Sequence, residues 1–276
     1  MLTLPISKIN IGLYVTEKRP DGYHNLETIF YPIPLHDNLE INRLKDSETC
    51  DYRLHLAGAK IAGEAEDNLI IKILRSLKED FDIPSIDIHL YKRIPMGAGL
   101  GGGSSDAAAF IKGLNEMFDL KMSNDEMEKR VSKFGADCAF FIQQQPCYAT
   151  GIGNILTPIN LSLKGYYLIL VKPDDFVSTK EAYAGVTPCK PNIDLMQAIQ
   201  QPINTWKDSI SNDFEKSVFA THPKIAAIKE TLYDLGAVYA SMSGSGSTVF
   251  GIFEHRVEEL SSIFSDCFCF QEKLRF

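Results

Sequence analysis

From Pro95 to Ser105 the chain reads Pro95-Met96-Gly97-Ala98-Gly99-Leu100-Gly101-Gly102-Gly103-Ser104-Ser105, with five glycines in seven residues. Without a Cβ in the way, the amides of such a run can turn inward onto one ligand. A helix starting just beyond it adds the positive end of its dipole. This chemistry suits the phosphates of a diphosphate or triphosphate. The hydroxyls of Ser104 and Ser105 are placed to cap the helix, or to bind Mg2+ and phosphate oxygens. A flexible turn with a serine cap is the competing account, but a plain turn needs one or two glycines, and each extra one raises the entropy lost on folding. The run is not a P-loop, because Gly103 and not lysine precedes Ser104. Gly97-x-Gly99-x-x-Gly102 satisfies the dinucleotide fingerprint, which also demands a parallel βαβ unit with an acid closing its second strand. Here the predicted helix runs through Asp119-Leu120-Lys121-Met122 into another helix.

Other residues have the chemistry for group transfer. Asp137, expected between a helix and a strand, is suited to general-base work, and Lys8, beside Asn10 on the first strand, could hold a carboxylate ionised and steady an alkoxide. Taken alone, Asp137 reads equally as a helix cap and Lys8 as a solvated strand residue. Tyr23 and Tyr183 read as half-buried structural aromatics. Asp67 or Asn68 before a helix reads as a cap, and Gly244-Ser245-Gly246 as a glycine-rich hairpin turn. The histidines His36, His55, His89, His222 and His255 show no metal-ligand spacing.

These residues need elements to hold them. Lys8–Val15 and Leu39–Ile41 are strand-like, and residues 85–91 alternate, with Ile86, Ile88 and Leu90 on one face and Asp87, His89 and Tyr91 on the other. Helices are predicted over Asn68–Asp80, across Ala107, Phe110, Ile111, Leu114 and Phe118, and over Ser123–Phe134 with Ser123 as cap. A hairpin, Cys138–Ile142 to Cys147–Thr150 turned at Gln145-Pro146, is expected next, then a strand at Tyr166–Lys172. Helix Pro223–Leu235, strands Ala237–Met242 and Thr248–Phe253, helix Arg256–Phe264 and strand Cys267–Leu274 follow. That order is the signature of a split β-α-β element, an antiparallel sheet covered by helices. The fold class expected is α+β, in two lobes with mixed or antiparallel sheets packed by helices. The lobes are placed at 1–155 and 156–276, since Gly151, Gly153 and Pro158 cluster near the boundary.

The composition is that of a globular protein: 276 residues, 45% hydrophobic, 23% charged, net charge −8. The acidic balance argues against a nucleic-acid surface. No apolar run approaches a membrane span, and the N-terminus lacks the pattern of a signal peptide, so a cytoplasmic protein is expected. The six cysteines are scattered without C-x-x-C spacing, and buried free thiols in a reducing compartment are the expectation.

The run Pro-x-Gly-x-Gly-Leu-Gly-x-x-Ser-Ser-x-Ala-Ala resembles the phosphate loop of the galactokinase, homoserine kinase, mevalonate kinase and phosphomevalonate kinase superfamily. Two further blocks of that superfamily stand in order, Pro5-Ile6-Ser7-Lys8-Ile9-Asn10-Ile11-Gly12-Leu13 and Met242-Ser243-Gly244-Ser245-Gly246-Ser247-Thr248-Val249-Phe250. Within it, the stretches 19–28, 92–97, 134–141 and 177–183 resemble the branch that phosphorylates a cytidine-diphosphate-linked methylerythritol on the non-mevalonate route to isoprenoid precursors. Ala98 departs from a common glycine, and Asn154 from a frequent Gly-x-Gly-Glu.

The resemblance implies an ATP- and Mg2+-dependent kinase acting on the 2-hydroxyl of a small cytidine diphosphate compound, with ATP and substrate in a cleft between lobes. Homoserine or mevalonate is the alternative acceptor. It implies Lys8 and Asp137 as the catalytic pair and residues 95–105 as the ATP loop, with Asn68 and Lys92 near the adenine. It implies stacking of the cytosine by Tyr23 and Tyr183, reading of its edge by His24, and substrate contacts from Asn10, Thr179, Gly244 and Ser245. No nucleic-acid or membrane partner is implied, and the chain is expected as a monomer or homodimer.

Overall fold

The computed structural model describes residues 1–45, 50–59 and 63–275. In chain order its elements begin β1 (Leu2–Thr3), β2 (Ile6–Lys18), β3 (His24–His36), β4 (Asn38–Arg43), β5 (Tyr52–Gly58), α1 (Leu69–Lys78), β6 (Ile86–Lys92), α2 (Gly102–Met117), α3 (Asn124–Val131) and α4 (Phe140–Gln143). They continue with β7 (Cys147–Thr150), β8 (Ile155–Pro158), β9 (Tyr167–Pro173), α5 (Thr179–Ala184), α6 (Leu195–Ala198), α7 (Trp206–Ser209), α8 (Phe214–Thr221) and α9 (Pro223–Asp234). The last are β10 (Tyr239–Met242), β11 (Val249–Phe253), α10 (Leu260–Ile263) and β12 (Cys267–Lys273).

The contacts divide these residues into two compact units, and the division does not follow one cut after residue 155. The first holds Met1–Ser7, Leu35–Met96 and Gly101–Gln144; the second holds Lys8–Pro34, Gly97–Leu100 and Gln145–Phe276. The N-terminal strands β2 and β3 complete a sheet with β7 and β8, in the order β2-β3-β7-β8, so sheet pairing overrides chain order.

The first unit carries a sheet ordered β1-β4-β6-β5, antiparallel except for the parallel β5/β6 pair. The alternation of β6 survives intact: Ile86, Ile88 and Leu90 are buried, and Lys92 follows them inward by the same parity. Helix α1 starts at Asn68, whose side chain accepts from the Ile70 amide at 3.0 Å, and buries Ile70, Ile71, Ile73, Leu74 and Leu77. Each such side chain is worth about 1.5–3 kcal/mol on full burial. Helix α2 packs on the sheet through Gly113, where a Cβ would come within 2.9 Å of Ile41. Ser123 and Glu126 form the capping box of α3.

The second unit adds an antiparallel sheet ordered β10-β11-β9-β12. Ile169, Val171, Met242 and Val249 of that sheet share a core with Phe214 and Val218 of α8 and Ile225, Ile228 and Leu232 of α9.

Three expectations change. The predicted first arm of a hairpin at Cys138–Ile142 is a 3-10 turn (Ala136–Cys138) leading into α4, and β7 pairs with β8 and β3. Phe140, Phe141 and Ile142 are all buried, which a helical turn permits and a strand packed on one face does not. The helix expected over Arg256–Phe264 is confined to α10. Burial of thiols holds for Cys138 and Cys147, whereas Cys189 is exposed and Cys50, Cys267 and Cys269 are half-buried.

Candidate active site

The glycine run is shaped by close approaches. Gly97, Gly99 and Gly101 have φ of +58°, +73° and +72°, a region that L side chains rarely adopt. In the second unit, a Cβ at Gly97 would lie 2.6 Å from the Phe176 ring, and one at Gly99 would overlap the Ser243 carbonyl oxygen. The side chains of Ala98 and Leu100 are buried, so only their backbone can face a ligand, whereas Met96 is exposed and Pro95 half-buried.

In the first unit, Gly101 caps α2 in the left-handed region, and the helix hydrogen bonds begin with Ser105 N–H to Gly101 O at 2.9 Å. The amides of Gly102, Gly103 and Ser104 therefore precede the first intrahelical bond, at the positive end of a 16-residue helix. A Cβ at Gly102 would meet Ile94 at 2.9 Å, while around Gly103 there is open space. Ser104 is half-buried, but Ser105 is fully buried and donates its hydroxyl to the Ile6 carbonyl at 2.6 Å. Ser105 is thereby removed from the expected metal-ligand pair, since its hydroxyl faces the protein interior.

Within the second unit, three stretches distant in sequence converge on the Gly99 carbonyl. Lys8 Nζ donates to it at 3.0 Å and the Ser243 hydroxyl at 2.9 Å. Lys8 Nζ also donates to Asn10 Oδ1 at 2.5 Å and stands 5.0 Å from the centroid of the Phe30 ring. Asn10 Nδ2 donates to Thr28 Oγ1 at 3.0 Å, and the Asn10 amide donates to the Ser243 hydroxyl at 3.2 Å. Lys8 and Asn10 are both buried. Asn10, expected against substrate, has both ends of its side chain engaged here, one by Lys8 and the other by Thr28.

Asp137 lies in the 3-10 turn and is half-buried. The turn abuts the start of α2: a Cβ at Gly135 would stand 3.6 Å from Ser104 Oγ. Burial pushes the adjacent Cys138 thiol up to about 11, against the lowering effect of a hydrogen bond with Ser104, and the nearby Asp137 charge adds to the rise. Asp137 and the free amides of α2 thus share one end of that helix.

Residue order alone does not reveal the ionic group beneath this helix start. Lys92, expected near adenine, is fully buried, and its Nζ pairs with Asp37 Oδ2 and, at 2.6 Å, with Asp106 Oδ2. Its ammonium is turned into the protein, so only Lys92 backbone is left to face a nucleotide. Asp37 Oδ1 accepts from the Arg93 and Ile94 amides at 2.5 and 2.8 Å. Burial pushes the Asp106 carboxyl up to about 8, outweighing the pull of Lys92, and the charge on Asp37 adds to the rise. One cation then balances one anion. A Cβ at Gly102 would lie 3.3 Å from Lys92 Nζ, so this charge sits directly under the glycine run.

At the aromatic end, also in the second unit, the pair that forms is His24 with Tyr183, stacked at 4.8 Å and 22°; Phe214 meets Tyr183 edge-on at 4.8 Å. Tyr23 is 62% exposed on a turn where its amide donates to Asp21 Oδ1 at 3.1 Å. Thr179 opens α5, capped by Ser178, and is exposed. Gly244 is buried, its carbonyl accepting from Asn212 Nδ2 at 2.8 Å, and Ser245 is half-buried. The Asp37–Asp106 pair and the His24–Tyr183 stack are not legible in the sequence because each joins residues of elements far apart in the chain.

Residues 68–145 match the GHMP kinases N terminal domain and residues 195–268 the GHMP kinases C terminal. A curated relative from Bacteroides fragilis, called 4-diphosphocytidyl-2-C-methyl-D-erythritol kinase, is 53% identical over 275 residues and covers 100% of both chains. One of the same name from Parabacteroides distasonis is 52% identical, covering 99% of this chain and 100% of its own. A crystal structure of 4-(cytidine 5'-diphospho)-2C-methyl-D-erythritol kinase superposes with a TM-score of 0.84 at 27% identity over 100% of both chains. The mevalonate kinase of Methanococcus jannaschii, at 14% identity and a TM-score of 0.69 over 100% and 98% of the chains, shares the fold.

Proposed function

Because the chain belongs to the 4-diphosphocytidyl-2-C-methyl-D-erythritol kinase family, we infer that it transfers the γ-phosphoryl group of ATP to the 2-hydroxyl of that alcohol. The observation that carries the reading is the meeting of Lys8, Gly99 and Ser243, which ties three kinase motifs into one hydrogen-bonded centre.

Phosphoryl transfer asks the protein chiefly to position two groups and offset developing charge. The amides of Gly102, Gly103 and Ser104 hold phosphate oxygens at the helix start, with the buried Lys92 ammonium below them. Asp137 takes the proton of the acceptor hydroxyl, and Lys8, aimed by Asn10, steadies the oxygen as it loses that proton. Asn68 and the Lys92 backbone lie toward the adenine. Tyr183, with His24 against it, supplies an aromatic face for the cytosine, while Tyr23, Thr179 and the Gly244-Ser245 backbone serve the rest of the substrate. Among the two serines considered for Mg2+, Ser104 fits, its half-buried hydroxyl standing beside the Asp137 turn. Held there, Mg2+ would offset part of the charge on the phosphates. No helix among the described residues is long and apolar enough to cross a membrane, and a cytoplasmic location accords with the substrate class.

The test is an assay with ATP, Mg2+ and 4-diphosphocytidyl-2-C-methyl-D-erythritol, with the product examined for a phosphate on the 2-hydroxyl. Homoserine and mevalonate run in parallel. Turnover confined to either of those would overturn the substrate assignment while leaving the kinase chemistry in place.

A further inference from the structure

Away from the glycine run, the outward face of β6 carries a cluster unconnected with phosphoryl transfer. The parallel pairing of β5 and β6 sets His55 opposite His89, and two-residue spacing puts Asp87 and His89 on the same face of β6. The two imidazoles stack at 4.3 Å and 13°. Both aim Nε2 at one carboxylate, His55 to Asp87 Oδ1 at 2.9 Å and His89 to Asp87 Oδ2 at 3.2 Å. One donor atom from each of the three residues lies within 4.8 Å of the others.

We propose that His55, Asp87 and His89 form a surface site for a borderline divalent cation, Zn2+ above all. Two imidazole nitrogens and one carboxylate are a three-ligand set characteristic of zinc, leaving a fourth position for water. Ligand atoms around a tetrahedral zinc stand about 3.4 Å apart, so donors within 4.8 Å of one another have to close by at most about 1.4 Å. Side chains that are 52% and 45% exposed, for His55 and His89, have the freedom to do so. Each ring shifts its proton from Nε2 to Nδ1, which frees both Nε2 lone pairs for one ion with no net loss of protons.

The neighbouring register positions are mixed. Glu40 of β4 stands opposite His89 and adds negative charge to the face, and Arg53 of β5 stands opposite Asp87 and opposes it. Mg2+ prefers an octahedral oxygen shell, so the site discriminates against the metal that accompanies ATP. Its occupant would tie β5, at the end of the sheet order, to its neighbour.

Calorimetric titration of the tag-free full chain with Zn2+, and separately with Mg2+, tests the proposal. The expected result is one Zn2+-binding event that weakens at least about 10-fold in each of His55→Ala and His89→Ala, since even outer-shell changes cost that much. Mg2+ should give no event that these variants remove. Zn2+ should also raise the Tm of the parent chain more than that of either variant. Exposed thiols bind zinc too, but they are common to parent and variants, so the difference isolates this site. Equal Zn2+ affinity and stoichiometry in the parent and the His55→Ala/His89→Ala double variant overturns the proposal.

Discussion

The carbonyl oxygen of Gly99 accepts from Lys8 Nζ at 3.0 Å and from the Ser243 hydroxyl at 2.9 Å, so one peptide group joins the first long strand to the turn after β10. A side chain at Gly99 has nowhere to go, because its Cβ would overlap the Ser243 carbonyl in a backbone conformation already unfavourable to L residues. Gly99→Ala should therefore lose roughly 1–3 kcal/mol from the left-handed strain alone, more with the overlap, and most of its turnover. Gly103→Ala is the control, since its Cβ would meet nothing within 4 Å. Thermal unfolding of the two should show a fallen Tm for the first and an unchanged one for the second.

Asp137→Asn keeps the size of the side chain and removes its basicity. Turnover should fall by about 10²–10⁴, the usual contribution of a general base, with ATP affinity little changed. Steady-state kinetics and nucleotide titration read the two effects separately. Turnover equal to the parent chain's would discard the role given to Asp137.

The buried triad makes opposite predictions for its members. Lys92→Met strands the Asp37 carboxylate without its cation and should cost roughly 3–5 kcal/mol in chemical denaturation. Asp106→Asn resembles the protonated carboxyl and should cost far less. The sign with pH follows from the raised value. A carboxyl lifted from 3.8 to about 8 on folding contributes stability that is complete below pH 3.8 and is lost as pH climbs to 8. Denaturation midpoints of the parent chain should therefore decline relative to Asp106→Asn between those limits. Parallel curves would exclude proton uptake by Asp106.

The Tyr183 ring, stacked on His24, belongs to the aromatic patch assigned to the cytosine. Removing it in Tyr183→Ala should weaken binding of the cytidine diphosphate substrate by about 1–3 kcal/mol, the range for stacking on one base, with the KM for ATP nearly constant. Calorimetry with the cytidine compound gives the answer, and unchanged affinity would rule out stacking at this residue.

Much of the site is local, and local features could be read from residue order. The glycine run, the helix after it, the Asn68 and Ser123 caps and the alternation of β6 all arise from near neighbours in the chain. Strand β3 was hidden by Pro32 and Pro34, which ordinarily signal a break. The aromatic run at Phe140–Ile142 could not announce whether it would be strand or helix, because periodicity is silent in a continuously apolar segment.

The residue types and their spacing by themselves pointed to phosphate binding, and the motifs they spell resemble those of the kinase family. Tertiary structure alone decided which polar atoms meet. It turned Lys92 inward to Asp37 and Asp106, set Ser105 against Ile6, and brought His55 to His89. The reason is physical: a glycine run or a helix cap acts over a few residues, whereas an ion pair or a shared ligand set depends on the register between strands that only folding establishes.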